Sequence, residues 1–233
     1  MTIALFSMDG IMFLLRWMHI FFSVIWIGLL YYFNFVQGPF FAETDAATKS
    51  NAIQKLVPRA LWWFRYGALF TVIFGIALII GRTHMGFSFS TSWGVNILIG
   101  MALGTVMFLN VWLIIWPNQK IVIASATAAA SGGKALPEAA AAAGKAGLAS
   151  RTNVLFSIPM LFFMAAAKNL TVFTNENSHF MLCAILIGVI ILALELNAIK
   201  GKTGPMTSVK GVIHCGFALT IVMYAIVELT LHG

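Results

Sequence analysis

Apolar residues in this chain come in long, nearly unbroken runs, not at the alternating spacing of strands or on the single stripe of a soluble amphipathic helix. About 20 mostly apolar residues suffice for a helix to cross a bilayer. On that criterion six spans are predicted, at about Ile11–Gln37, Leu61–Gly81, Trp93–Trp116, Val154–Val172, Phe180–Ile199 and Val209–Leu231. The fourth is short and contains Pro159. Gly38-Pro39 is expected to stop the first helix, and Trp116-Pro117-Asn118 the third. The fifth and sixth are expected to part at Gly201 and Gly204-Pro205. The longest joint, residues 118–152, is Ala-rich. Within it Pro137–Ala149 reads either as a short helix lying on the surface or as a flexible linker.

Composition agrees with a single all-α membrane domain over residues 1–233, a bundle of about six helices. Of the 233 residues, 61% are hydrophobic and 9% charged, whereas soluble domains carry roughly 25% charged residues. The net charge of +7 does not point to nucleic acid, because the cations are dispersed along the joints. They orient the chain instead. Lys49, Lys55, Arg59, Arg65, Lys120, Lys134, Lys145, Arg151, Lys200, Lys202 and Lys210 fall on the side of the odd-numbered joints, against Arg16, Arg82 and Lys168 on the other. By the positive-inside rule the odd joints, including the 118–152 joint, are cytoplasmic, and both termini are periplasmic in a bacterial inner membrane. The first apolar run is too long for the core of a cleavable signal. Cys183 and Cys215 lie inside apolar runs and read as buried thiols.

Ionisable groups at membrane depth point to function. His19, in Arg16-Trp17-Met18-His19, falls about two turns into the first predicted helix, with Ser23, Trp26 and Leu30 following at helical spacing. A neutral imidazole there suits haem iron as an axial ligand or, alternatively, a hydrogen bond to a neighbouring helix. His214, in the sixth helix, is the candidate second ligand. His84 and His179 are expected at the outer surface, and His232 in solvent. Asn34, Asn96, Asn110, Glu195, Asn197 and Glu228 read for the most part as interhelical hydrogen-bonding groups, with Glu195 and Glu228, near helix ends, alternatively reaching water. The tryptophans fit interfacial belts. A phosphate-binding glycine loop, a dinucleotide fingerprint, a CxxCH haem attachment and an HExxH site are all missing from the sequence.

Four blocks carry a resemblance. They are Trp17-Met18-His19-Ile20 with Trp26-Ile27-Gly28 and Tyr31-Tyr32-Phe33; Trp63-Phe64-Arg65-Tyr66-Gly67 with Phe70-Thr71 and Gly75; Asn110-Val111-Trp112 with Trp116-Pro117-Asn118-Gln119-Lys120; and Arg151-Thr152-Asn153 with Ser157-Ile158-Pro159 and Phe162-Phe163-Met164. In that order, through about Leu5–Lys168, the chain resembles the membrane domain of bacterial urate hydroxylase, the PuuD type, in which that domain is joined to a c-type cytochrome. Through the first-helix histidine it is more distantly similar to copper-resistance-D-like haem-binding membrane proteins. The resemblance implies urate oxidation with electrons passed to cytochrome c. It also implies histidines on the third helix and around the fourth, where the matched positions hold Leu98, Thr152 and Lys168. Only His19 carries over, and no cytochrome domain is expected within the 233 residues. The leading expectation is a possible membrane oxidoreductase with a b-type haem at His19, serving a separate periplasmic cytochrome c. The alternative is a non-catalytic accessory subunit of a larger inner-membrane complex. A transporter is disfavoured, since no inverted repeat is visible.

Overall fold

The computed structural model describes residues 3–175 and 177–232. The expected placement of the chain ends therefore concerns positions, Met1 and Gly233, outside the described residues. The architecture is all-α, with no strand among the described residues. Six helical stretches are long and apolar enough to cross a membrane: Met8–Glu43, Val57–His84, Ser92–Ala130, Ala139–Asn169, Phe180–Lys200 and Val209–Leu231. Each contains most of one run expected from the sequence.

Two of these stretches are composite. The first joins α1 (Met8–Tyr31), a π-helical segment (Tyr32–Gln37) and α2 (Gly38–Glu43). The third joins α5 (Ser92–Leu109), a second π-helical segment (Asn110–Ile115) and α6 (Trp116–Ala130). The expectation that Pro39 and Pro117 end their helices is therefore corrected. A proline ring clashes with the carbonyl four residues back and leaves it without a donor. That carbonyl belongs to Phe35 for Pro39 and to Leu113 for Pro117, and both lie in the π-wound segments. There the wider i→i+5 bonding accommodates the ring and the helix continues.

The Ala-rich joint is corrected in the same way. α6 runs on to Ala130 and α7 (Ala139–Asn169) begins well before the expected end of the joint at residue 152, so only residues 131–138 connect them. Alanine is the strongest helix former, and Ala142, Ala146, Leu148 and Ala149 are buried. Residues 139–149 are thus the first turns of the fourth span, neither a separate surface helix nor a linker. Between the first two spans lies α3 (Ala46–Lys55), which the sequence reading left inside a joint. Its N-terminus is capped by Asp45, whose Oδ1 accepts from the backbone N–H of Ala47 and Thr48, both at 2.9 Å. α4 (Val57–His84), α8 (Phe180–Lys200) and α9 (Val209–Leu231) complete the set.

The chain divides into two compact units, Met1–Phe87 with Val111–Gly144, and Ser88–Asn110 with Lys145–Gly233. In the first, α1 lies along α4 in antiparallel register. A β-carbon added at Gly67 would sit 3.2 Å from the backbone nitrogen of Trp26, one at Gly75 would meet the His19 ring, and one at Gly81 would meet Met12. Small residues at such points let backbones approach closely, which is how helices associate when surrounding lipid removes the hydrophobic drive. In the second unit, Val154, Phe156 and Phe163 of α7 are fully buried, a β-carbon added at Gly100 of α5 would stand 3.1 Å from the Met164 side chain, and one at Gly216 of α9 would meet Ile158.

The outward faces are apolar. On α8, Met181, Ile185, Val189, Leu192 and Leu196 recur at helical spacing and are all more than half exposed, and on α9 Leu229 is 82% exposed. Facing water, each such side chain would forgo about 1.5–3 kcal/mol of burial. Facing acyl chains it forgoes little, so these surfaces suit a bilayer.

Candidate functional site

His19 occupies the face of α1 that meets α4. It is the twelfth residue of the helix, about 16 Å from its start by helix rise, and so deeper than the two turns expected from the sequence. The ring is half-buried. Its Nδ1 lies 2.8 Å from the backbone oxygen of Thr71. A carbonyl can only accept, so Nδ1 carries the proton, and in the neutral ring Nε2 carries the lone pair. Among the described residues no group hydrogen-bonds to Nε2. One further feature seats the ring, and an aromatic cluster packs the same helix pair one turn away. Gly75, one turn beyond Thr71, leaves room for it, since an added β-carbon would stand 3.1 Å from Cε1 and 3.3 Å from Nδ1. One turn along α1, Phe22 stacks on Phe74 at 5.8 Å and 8°, with Phe70 at 4.8 Å. The Thr71 hydroxyl bonds back to Gly67 O at 2.7 Å and Ser23 Oγ to His19 O at 2.6 Å, so neither hydroxyl competes for the imidazole.

Within the first unit no second histidine stands beside it among the described residues. His84, in the same unit, ends α4, thirteen residues or about 20 Å of helix beyond Thr71. It is exposed, as expected. His179 is exposed before α8, and its backbone N–H donates to Thr230 O at 2.8 Å. His232 is exposed at the end of α9. His214, the candidate second ligand, stands exposed early in α9, in the second unit. Among the described residues no three His, Cys, Asp or Glu side chains converge as a metal site would require. His19 could thus hold a metal through Nε2, with the tautomer fixed as a ligand needs, and the described residues of the first unit supply no second imidazole beside it.

A second polar centre lies in the other unit. Asn110, where the π-helical segment begins, donates from Nδ2 to Asn153 Oδ1 at 3.0 Å and to Glu195 Oε2 at 2.9 Å. Asn153 Nδ2 in turn donates to Met107 O at 3.0 Å. Asn110 and Asn153 are buried and Glu195 is partly exposed. Three spanning helices are thereby tied at one level. Asn110 and Glu195 were expected to bond between helices, and they do. Asn153, the middle of the network, was not singled out for that role. Its signal was an amide beside Thr152 with apolar residues following, which a sequence offers at many neutral positions.

The family model described as urate oxidase N-terminal matches residues 82–226, more than half of the chain. No curated protein matches and no solved structure matches. The matched stretch includes the Asn110, Trp116–Lys120 and Arg151–Met164 blocks and the whole Asn110–Asn153–Glu195 network. His19 and the Trp63–Gly67 block lie outside it.

Proposed function

The chain belongs to the urate oxidase N-terminal family, and on that premise we propose that it is a membrane-embedded redox protein of a bacterial inner membrane, with a b-type haem held by His19, that serves a periplasmic cytochrome c. The observation that carries this reading is the hydrogen bond from His19 Nδ1 to Thr71 O, which presents the Nε2 lone pair. Metal-bound histidines almost always donate their other ring N–H to a carbonyl or carboxylate. A haem at that nitrogen would supply one-electron transfer. The chain's own part is to fix the imidazole against Gly75 and to keep the ring among apolar and aromatic neighbours. The family description makes urate the first substrate to assay. A reduced-minus-oxidised spectrum of the purified protein, with pyridine haemochrome identification, tests the reading. A b-type signal lost in His19→Ala is the expected result, and a wild-type protein purified without haem overturns it.

A second reading, an accessory subunit without its own chemistry, draws on a different observation. His84, His179 and His214, the histidines within the family match, are all exposed, while buried Asn110 and Asn153 bond to each other, and Asn110 to Glu195, across helices. Stoichiometric co-purification with other membrane subunits, in cofactor-free form, favours it.

A further inference from the structure

We propose that Arg65 and Lys120 form a binding site for the phosphate of an anionic phospholipid headgroup, built on the indole of Trp116. The Arg65 guanidinium carbon lies 3.4 Å from the centre of the Trp116 ring, and the Lys120 ammonium lies 5.6 Å from the same centre. Arg65 is anchored by Nε donating to Leu61 O at 3.2 Å, and neither terminal nitrogen has a partner among the described residues. Neither cation meets a carboxylate among the described residues. Two like charges gathered at one ring are mutually unfavourable until an anion joins them. A planar guanidinium stacked on an indole keeps its fork of N–H donors in place for phosphate oxygens.

The surrounding rings argue for a lipid source. Tyr66 lies 4.7 Å from Trp62 and 5.9 Å from Trp112, and Trp62 and Trp63 are exposed. Clustered amphipathic rings settle at headgroup depth, so the two cations stand where lipid phosphates are. The site lies wholly within the first unit and is independent of any haem.

The test uses the full chain, reconstituted in phosphatidylcholine bilayers, with tryptophan fluorescence quenched by brominated phosphatidylglycerol or brominated phosphatidylcholine. Wild type is expected to prefer phosphatidylglycerol, and Arg65→Gln and Lys120→Gln each to lower that preference about five-fold, the effect of one interfacial cation. Arg65→Lys keeps the charge without the planar stack and is expected to fall between. Lys134→Gln, in the 131–138 connection, is expected to leave the preference unchanged. Lack of preference in wild type overturns the proposal, as does an equal loss in Lys134→Gln, which would mean diffuse charge. Should Arg65→Gln not fold, the exposed Lys120→Gln decides alone. Displacement of the brominated lipid by millimolar inorganic phosphate would assign the site to the free anion and overturn the lipid source.

Discussion

His19 and Thr71, 52 positions apart in sequence, are joined by a 2.8 Å hydrogen bond from an imidazole nitrogen to a backbone oxygen. The bond selects the tautomer, and Gly75 sets the distance at which the ring can rest. Gly75→Ala is therefore expected to push the ring away from α4, because its methyl would lie 3.1 Å from Cε1. In a haem-loaded protein the expected outcome is a shifted spectrum and midpoint potential at near-normal haem content. A spectrum identical to wild type would show that the ring's seat on α4 does not govern ligation.

The amide network predicts a different kind of loss. Asn153→Ala removes the acceptor for Asn110 and the donor to Met107 O, and is expected to destabilise the protein by about 0.6–2 kcal/mol, the range for interhelical hydrogen bonds in bilayers. Asn153→Asp, which replaces the donor facing Met107 O with an oxygen, is expected to cost more. Reversible unfolding in mixed micelles measures both, and a neutral Asn153→Ala would reduce the network to incidental contact.

Asp45 gives a pH dependence outside the membrane-spanning stretches. The Thr48 hydroxyl, at 2.6 Å from Oδ2, and the backbone N–H groups of Thr48 and Ala47 hold its carboxyl below the usual carboxylate range. A depressed folded value means the cap stabilises α3 fully above the unfolded pKa of about 3.9 and is lost as pH falls through the lower folded value. Hydrogen-exchange protection of residues 47–49 is expected to drop over that acidic window in wild type. In Asp45→Asn, which caps without titrating, it is expected to stay flat.

Topology is the fourth expectation. A reporter inserted at Gly133 is expected to read cytoplasmic and one fused after Gly233 periplasmic, from the eleven-to-three split of Lys and Arg. A cytoplasmic reading at the C-terminus would refute the proposed orientation.

Where the sequence was legible, it was because one physical cause acted alone. Some 20 apolar residues in a row have few fates besides a spanning helix, so six runs became six helices. Pro39 and Pro117 misled because their effect depends on how the preceding turn is wound. Neither residue type nor hydropathy records a π-wound turn. The Ala139–Ala149 stretch was ambiguous because its helicity rests on neighbours that bury Ala142, Ala146 and Ala149. His19 stood out because a titratable ring in an apolar run is rare. Asn153 did not, because its partners lie 43 and 46 positions away, and only folding reveals which amide sits opposite which.

The π-helical segment Asn110–Ile115 works as a phase adjuster. Each residue turns an α-helix by roughly 100°, so one residue accommodated in a widened turn rotates everything after it by that angle relative to everything before. Upstream of the change, α5 sends Asn110 toward Asn153 and Glu195; downstream, α6 sends Trp116 beneath Arg65. The same widened turn takes up the ring of Pro117, so the helix runs on to Ala130 where a proline would otherwise have ended it, and one residue's worth of slack does the work of a loop.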